Sequence, residues 1–276
     1  MTPTYGDVQA NLQAMKPFIA HASAKNTSLL IFPELTTTGY TFFPKDQVDK
    51  FVEPMNGPSY QTVQEMSTFY NVSVVYSFME LGDDGKYYDT AALVHPSGLL
   101  GSHRKTTLSG DWEVSTFTQG TELKVFDVDG VRVGLMICAE ISYPEVARSL
   151  AMQRAQLLAI PTGMAAPPEG NYYSNITIPQ RANENLLYAA YSNWYAPATL
   201  PGGFAPFQGL SRIAQANFIS LNFGDPYKEQ LLLADILPTV WETYFCDSIM
   251  GQRQPETYGD LTDPTLQKNV CNIDAQ

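Results

Sequence analysis

The sequence predicts a mixed α/β fold, in which helices pack against a mixed β-sheet. Helical and strand-like apolar patterns alternate along the chain, as expected when helices cover a sheet. Hydrophobic residues make up 44% of the 276 residues, so the chain can bury a sizeable core. Only 16% of the residues are charged, and this composition excludes an intrinsically disordered chain.

The first half of the chain carries two helical patterns and four strand patterns. Leu12, Met15 and Ile19 share one face of a helix predicted over 11–24, and a second helix is predicted over 60–70. Strands are predicted over 29–32, 72–81, 87–95 and 99–104. Turns rich in glycine, aspartate and proline separate the last three strands and favour antiparallel pairing between them.

The second half begins with a hairpin, whose strands 124–127 and 131–137 are joined through Asp129-Gly130. The elements predicted after it are a helix over 144–154, a strand over 157–160, a helix over 180–185 and strands over 187–193, 213–219 and 230–236. Beyond Pro238 the pattern weakens. We therefore expect one domain over residues 1–276, with a C-terminal tail from about residue 238.

Charge and cysteine content narrow the possible functions. The 28 acidic and 16 basic residues give a net charge of −12, which disfavours binding to nucleic acid or to an anionic membrane. Three cysteines are too few for a disulfide framework and suit a reducing compartment. The sequence has neither a membrane-spanning apolar run nor a signal-peptide pattern, so we expect a cytoplasmic protein.

Three reactive side chains, Glu34, Lys105 and Cys138, each lie at the end of a different predicted strand. Taken singly, each has a commoner structural interpretation: a solvated carboxylate, a surface ammonium and an inert buried thiol. Strand ends can meet at one edge of a sheet, however, and a base, a cation and a nucleophile would then share one site. The coincidence favours a catalytic site over three unrelated structural roles.

Cys138 has a setting that the other two cysteines lack. A helix is predicted a few residues after it, and the positive end of the helix dipole can lower the pKa of a thiol. Cys246 and Cys271 lie in the tail without such a context, and we expect them to be inert.

The segments around these three residues resemble motifs of the nitrilase superfamily of carbon–nitrogen hydrolases. Residues 30–34 (Leu-Ile-Phe-Pro-Glu), followed by Thr-Gly-Tyr at 38–40, resemble its glutamate motif. Residues 103–106 (His-Arg-Lys-Thr) are similar to its lysine motif, which usually reads Tyr-Arg-Lys. Residues 134–138 (Gly-Leu-Met-Ile-Cys), with Tyr-Pro-Glu at 143–145, resemble its nucleophile motif. The likeness covers nearly the whole chain in order.

Further positions extend the resemblance. Glu113 matches the second glutamate that amidases of this family use to position substrate, and residues 6–12 and 253–258 resemble the family's terminal segments. Members of the family begin with a core strand before the turn that matches Gly6-Asp7, and the sequence has no such strand there. We therefore expect the usual first core strand to be lacking, through either an incomplete N-terminus or a real loss, and one sheet edge to be unpaired.

The resemblance implies a fold and a mechanism. The fold is a four-layer αββα sandwich of α/β (α+β) class, with two mixed β-sheets flanked by helices, and such units pair into a homodimer or a higher homo-oligomer. Cys138 would attack an amide carbonyl carbon, Glu34 would act as general base and acid, and Glu113 would position the substrate. Lys105 and the backbone N–H of Ala139 would stabilise the oxyanion.

The substrate-binding candidates are Tyr40, Ala139, Glu140, Thr162 and Met164. Related amidases often carry Tyr-Asp at the positions of Ala139 and Glu140, so this sequence departs from them there. Nitrilases, like this sequence, have a glutamate two residues after the cysteine. An N-carbamoyl amide hydrolase would need basic residues for its carboxylate substrate, and residues 164–168 contain none. We expect an amidase that hydrolyses a small carboxamide, with a nitrilase or an N-carbamoyl amide hydrolase as the alternative.

A catalytically silent binding protein on the same fold is the alternative from another class. All four candidate catalytic residues, Glu34, Lys105, Glu113 and Cys138, are present, and this disfavours it. We expect no metal and no cofactor, because the three histidines are scattered along the chain. The expected partner is a small amide rather than nucleic acid or membrane.

Overall fold

The computed structural model describes residues 1–165, 172–196, 206–246 and 248–266. The chain divides into two compact units, Met1–Pro238 and Thr239–Gln276, and the boundary falls where the sequence pattern weakens. The described part of the smaller unit contains a short helix, α7 (Glu242–Phe245), and 3₁₀ turns at Pro255–Thr257 and Gly259–Thr262. Helices in the described part of the chain are too short or too polar to cross a bilayer.

The larger unit contains the remaining elements. Its helices are α1 (Val8–Ala24), α2 (Lys45–Phe51), α3 (Pro58–Tyr70), α4 (Gly110–Thr116), α5 (Pro144–Met152) and α6 (Ile178–Asn185). Its strands are β1 (Leu29–Ile31), β2 (Ser73–Leu81), β3 (Tyr87–His95), β4 (Gly98–Arg104), β5 (Val125–Val128), β6 (Val131–Leu135), β7 (Leu157–Thr162), β8 (Tyr188–Asn193), β9 (Tyr195–Ala196), β10 (Phe207–Gln208), β11 (Arg212–Gln215) and β12 (Ile219–Phe223).

Two mixed sheets form the centre of the larger unit. The first has the order β1-β2-β3-β4, with β1 parallel to β2 and the other pairs antiparallel. The second has the order β12-β11-β8-β7-β6-β5, with β6, β7 and β8 parallel. Strands β1 and β2 contact β7 and β8, while α3 packs on the first sheet and α6 on the second. This order of helix, sheet, sheet and helix confirms the predicted αββα sandwich.

Helix α1 shows how the sequence builds an outer layer. The Asp7 side chain caps its N-terminus by accepting a hydrogen bond from the Ala10 N–H at 2.9 Å. Leu12, Met15 and Ile19 point inward and are fully buried, as their helical spacing predicts. Each such side chain contributes about 1.5–3 kcal/mol through burial, which fixes α1 against the core.

Strand β1 forms an edge of the first sheet, with β2 as its neighbour among the described residues. A groove of about 600 Å³ runs along that edge, and its lining includes Leu29, Ile31, Val133 and Leu157. Leu29 and Ile31 are only half-buried. The unpaired edge expected from the sequence is therefore observed.

The structure corrects two predicted strands. The segment 213–219 contains parts of two strands, β11 and β12, which pair as a hairpin because Asn217 and Phe218 adopt left-handed backbone conformations with φ of 64° and 59°. The segment 230–236 is not a strand, and its apolar side chains line the groove beside β1 instead of joining a ladder. Helices α2 and α4 were not predicted, since each spans only seven residues and buries a single side chain.

Candidate active site

The three strand ends predicted to meet do meet. Glu34 follows β1, Lys105 follows β4 and Cys138 follows β6, and all three side chains are buried. The Lys105 Nζ atom donates to Glu34 Oε1 at 2.6 Å and to Glu113 Oε1 at 2.8 Å. Glu113 reaches this point from α4 and is fully buried. The sheets thus gather an ammonium, two carboxylates and a thiol in a dry site.

Cys138 occupies a constrained turn. Its backbone adopts a left-handed conformation with φ of 45°, and it begins a short 3₁₀ helix, Cys138–Ser142. A non-glycine residue in this region costs of the order of 1–3 kcal/mol, which the surrounding structure must offset. The thiol lies close enough to Glu34 and Lys105 for both to shift its pKa. The turn therefore places the sulfur near Glu34 and Lys105.

The ionisation of Cys138 differs from the sequence-based prediction. Burial raises the pKa of the thiol well above its ordinary value, the nearby Glu34 raises it further, and Lys105 only partly opposes this. The predicted helix does follow, as α5, but desolvation dominates, so the lowering that a helix N-terminus can produce is not seen. The thiol holds its proton at neutral pH and needs a base.

Glu34 has the properties of such a base. Burial raises the pKa of Glu34 above its ordinary value, and the ammonium of Lys105 limits the rise. The second carboxylate oxygen accepts the Gly163 N–H at 2.8 Å, and this N–H also interacts with the Cys138 thiol. The Trp194 indole donates to the Glu34 carbonyl at 2.7 Å. Glu34 is therefore held beside the thiol with a pKa moved towards neutrality, as a general base requires.

Glu113 is fixed by three donors. Besides Lys105, the Tyr40 hydroxyl donates to Glu113 Oε1 at 2.5 Å and the Ser109 N–H donates to Oε2 at 2.7 Å. Burial raises the pKa of Tyr40 well above its ordinary value, so its hydroxyl remains a donor. The Trp112 ring packs edge-on against Tyr40, with ring centres 5.8 Å apart. These contacts hold the Glu113 carboxyl group in place beside the Lys105 ammonium.

The five predicted substrate-binding residues fall into two groups. Ala139 and Met164 are partly exposed, and each directly follows a residue of the site, Cys138 and Gly163 respectively. Tyr40, Glu140 and Thr162 are buried, and their polar side-chain atoms bond to other protein groups. The carbonyl of Thr162 accepts the Glu34 N–H at 3.3 Å. Substrate contact by these five residues stays a prediction, and the observed contacts of the buried three position other site residues.

Glu140 joins the lysine loop to the nucleophile loop. Its carboxylate accepts the Ile137 N–H at 2.6 Å, the Thr106 N–H at 2.7 Å and a bond from His103 Nε2 at 2.8 Å. The Thr106 hydroxyl also bonds to it. We call His103, Thr106, Ile137 and Glu140 the Glu140 network. Burial raises the pKa of Glu140, but His103 and the hydrogen bonds outweigh burial, and the net shift is downward.

Sequence reasoning missed the part that His103 plays and missed Asp89 altogether. His103 appeared only as a departure from the usual Tyr-Arg-Lys motif, although a buried ring before the lysine signals a polar partner. Asp89 lies inside β3, where a carboxyl group is unusual in a buried strand, and that anomaly was the available signal. Its carbonyl accepts the Lys105 N–H at 2.9 Å.

Glu34, Asp89 and Glu113 offer carboxylate oxygens that lie within 4.8 Å of one another, an arrangement that can hold a metal ion. The Lys105 ammonium lies 2.6, 3.7 and 2.8 Å from these three side chains. A metal cation among them would face this positive charge at close range. The set of side chains therefore fits an internal ammonium better than a metal.

A family profile described as Carbon-nitrogen hydrolase matches residues 1–244. A relative from Pseudomonas protegens, described as a hydrolase in the pqqF 5′ region, is 33% identical over 259 residues, which cover 93% of this chain and 87% of the relative. An (R)-stereoselective amidase from Pseudomonas sp. is 35% identical over 190 residues, 68% of this chain and 66% of that protein.

A nitrilase from Pyrococcus abyssi is 29% identical over 239 residues, which cover 86% of this chain and 87% of that protein. Among solved structures, a mutant of the amidase from Nesterenkonia sp. AN1 matches with a TM-score of 0.79 and 25% identity, covering 94% of this chain and 96% of that one. That structure shows acrylamide added at the active-site cysteine by Michael addition.

Proposed function

The chain belongs to the carbon–nitrogen hydrolase family of the nitrilase superfamily, and from this premise we propose that it hydrolyses a small carboxamide to a carboxylic acid and ammonia. The family and its amidase relatives make the protein an amidase-type hydrolase. One observation carries the finer proposal: a single buried ammonium, Lys105, bonds to both Glu34 and Glu113 beside the Cys138 thiol.

The first half of the proposed reaction forms a thioester. Glu34 accepts the proton of the Cys138 thiol while the sulfur attacks the amide carbonyl carbon, because the raised thiol pKa demands a base at that moment. The carbonyl π electrons move to oxygen, where Lys105 and the Ala139 N–H stabilise the negative charge. The C–N bond then breaks, and Glu34 returns its proton to the nitrogen, so that ammonia leaves.

The second half releases the acid. Glu34, again ionised, removes a proton from a water molecule that attacks the thioester carbonyl carbon. The same donors stabilise the second oxyanion, the C–S bond breaks, and the sulfur regains a proton from Glu34. Glu113 does not transfer protons in this scheme: it holds Lys105 and orients the amide, a positioning role that can be worth several orders of magnitude in rate.

The proposed substrate is a neutral or weakly polar amide. Ala139 and Met164, which directly follow the site residues Cys138 and Gly163, are small or apolar and offer no charge to a carboxylate substrate. The remaining residues of the segment that guided this expectation, 166–168, lie outside the described residues. The amidase names of two of the relatives support an amide over a nitrile, and the nitrilase name keeps a nitrile as the second candidate.

Ammonia release from a panel of small amides and the matching nitriles tests the proposal. Cys138→Ala is expected to reduce release to the uncatalysed level, whereas Cys246→Ala, an exposed thiol in the smaller unit, is the matched control and should keep wild-type rates. Intact mass after rapid quenching should show the acyl group on wild type but not on Cys138→Ala. Unchanged turnover in Cys138→Ala would contradict the proposal.

The measurements on nitriles test nitrilase activity, the second candidate function. Ammonia from nitriles but not from amides would replace the amidase by a nitrilase, and activity on carbamoyl compounds alone would favour the carbamoyl hydrolase. We further propose a cytoplasmic homodimer or higher homo-oligomer whose partner is the small amide itself. This rests on the family resemblance, and sedimentation of the purified chain tests the assembly.

A further inference from the structure

A third acid shares the site with Glu34 and Glu113, and the proposed mechanism does not use it. Asp89 lies on β3, and only 1% of its surface is exposed. Its Oδ2 atom lies 3.7 Å from Lys105 Nζ. We call Lys105, Glu34, Glu113 and Asp89 the lysine cluster. Three carboxyl groups thus surround one ammonium.

The charge of the lysine cluster does not balance if every group is ionised. Three carboxylates and one ammonium would leave two uncompensated negative charges in a dry site, and each such charge is costly to bury. The titratable groups that shift the pKa of Asp89 include Glu34, Lys105 and Glu113, and the Cys138 thiol beside Glu34 has a raised pKa and is neutral at rest. The nearby pair of Arg104 and Glu80 lies on the opposite face of the sheet, because side chains alternate along β2, β3 and β4.

Hydrogen bonds indicate which acid holds a proton. Glu113 accepts from three donors, and Glu34 accepts from Lys105 and from the Gly163 N–H. Asp89 Oδ1 accepts only the Ser77 hydroxyl, at 3.0 Å, and no donor reaches Oδ2 from any residue that the structure describes. Donors stabilise the ionised form of an acid. Asp89 is the poorest in donors, and a proton on Oδ2 would satisfy that atom.

Asp89 is also placed to fix both functional partners. Its carbonyl accepts the Lys105 N–H at 2.9 Å, and its carboxyl group binds the hydroxyl of Ser77, which in turn accepts the Leu35 N–H at 2.9 Å. Leu35 directly follows Glu34. The segment that carries the base and the segment that carries the ammonium therefore converge on this one side chain.

We propose that Asp89 is a neutral acid in the resting enzyme and that its protonated carboxyl group donates a hydrogen bond to the Glu34 carboxylate. This hydrogen bond keeps Glu34 ionised and positioned as the base. The inference rests on the proposed role of Glu34. Burial raises the pKa of Asp89 well above its ordinary value, Glu34 raises it further, and Lys105 opposes both. A hydrogen bond from Asp89 lowers the pKa of Glu34 in return. Asp89 is thus a positioning residue, since it acts through Glu34.

Two substitutions separate a neutral Asp89 from an ionised one. Asp89→Asn keeps a donor and adds no charge, so kcat/KM should stay within about threefold and the acid limb of its pH profile should stay in place. Asp89→Ala removes the donor, so the pKa of Glu34 rises and the acid limb should move to higher pH by about one unit. Asp83→Asn, in the exposed turn after β2, is the control and should match wild type.

Other outcomes overturn the proposal. If Asp89 is ionised, Asp89→Asn removes a negative charge beside Glu34, and the acid limb moves to lower pH. A lower kcat with an unmoved limb in both variants would mean a purely structural role.

Difference infrared spectroscopy gives a readout that does not depend on hydrolysis. Wild type minus Asp89→Asn should contain the carbonyl stretch of a protonated carboxylic acid at neutral pH. A carboxylate band in its place contradicts the inference, whether or not the protein proves to be an amidase.

Discussion

The lysine cluster and the Glu140 network both place a buried carboxyl group beside a lysine or histidine side chain. They differ in the hydrogen-bond donors that surround each acid. In the Glu140 network one carboxylate receives four donors, and the pKa of Glu140 falls. In the lysine cluster three acids share one ammonium, Glu34 and Asp89 accept one further hydrogen bond each from Gly163 and Ser77, and the pKa values of both acids rise. Burial is common to both, so the donors and the charges around each acid separate the two.

This difference teaches which carboxylates can carry protons. A carboxylate with every lone pair satisfied is locked in its ionised form and serves to fix loops, here those of Lys105 and Cys138. An acid with few donors in a dry site has a raised pKa and takes up a proton more readily, as a general base must. The Glu140 network therefore fits a structural role, and the lysine cluster fits the proton transfers proposed for this site.

Glu34→Gln should have the largest effect. The amide keeps the shape of the side chain but cannot accept the thiol proton, so kcat/KM should fall by about 10²–10⁴-fold while the fold is kept. Steady-state kinetics and thermal unfolding measure the two quantities. The control is Glu65→Gln, at an exposed position of α3. Near-wild-type turnover in Glu34→Gln would remove Glu34 from the mechanism.

Lys105→Met is expected to affect both rate and stability. Loss of the proposed oxyanion donor should lower kcat by about 10²–10³-fold. Loss of the only cation in the cluster should lower the free energy of unfolding by about 3–5 kcal/mol. The exposed Lys86→Met is the matched control.

The pH dependence of that stability loss sharpens the comparison. Burial already raises the pKa values of Glu34 and Asp89. Without the Lys105 ammonium, both side chains should stay protonated in the folded protein. The folded state then binds more protons than the unfolded state, so stability falls as pH rises above about 4, the ordinary carboxyl pKa. Urea unfolding of Lys105→Met at several pH values tests this, and a stability that rises with pH would contradict it.

Glu140→Gln should act mainly on stability. Loss of the charged acceptor should cost about 1.5–3 kcal/mol in unfolding free energy. The resulting misplacement of Cys138 should lower kcat/KM by up to about 10²-fold, with the acid limb of the pH profile unmoved. A shifted acid limb would place Glu140 among the proton-transferring groups and break the comparison.

Acid unfolding of the same pair of proteins checks the lowered pKa of Glu140. That lowered pKa stabilises wild type above the ordinary carboxyl value, and the contribution is lost as pH falls through the pKa of the folded state. Glu140→Gln lacks this dependence, so the stability difference between the two proteins should shrink in acid. A constant difference across pH would contradict the assignment.

Tyr40→Phe should have the smallest effect. It removes one of the three donors to Glu113 and leaves the ring packing of Tyr40 intact. A single hydrogen bond of this kind is worth about 1.5–3 kcal/mol, but Lys105 and Ser109 still hold Glu113, so we expect a fall in kcat nearer tenfold than a hundredfold. Tyr87→Phe, with a hydroxyl that bonds the exposed Asp49, is the control and should not change kcat.

Sequence predicted the parts of the site that follow local rules. Glu34, Lys105 and Cys138 each lie at the end of a predicted strand, and strand ends in packed sheets can meet, so their convergence could be predicted. The place of Asp89 in the site could not be predicted, because its contacts depend on the register between β2 and β3. That register brings Ser77 close to Asp89. The bond from His103 to Glu140 likewise joins two segments that only the folded sheets bring together.

Local pattern also has limits within the fold. The run 213–219 alternates like one strand, and only the backbone conformations at Asn217 and Phe218 reveal the hairpin. The pKa of Cys138 shows the same limit. The start of a helix nearby is visible in the sequence, whereas burial, the dominant cause of the raised pKa, depends on the whole fold.

The pH dependence of Cys138 alkylation by iodoacetamide tests most directly whether Glu34, and not Glu140, carries the thiol proton. Wild type and Glu140→Gln should share one acid limb, set by ionisation of Glu34. Glu34→Gln should lose that limb and react only in alkaline solution, where the thiol with its raised pKa ionises unaided. An alkylation profile of Glu34→Gln identical to that of wild type, or a limb displaced in Glu140→Gln, would contradict the account.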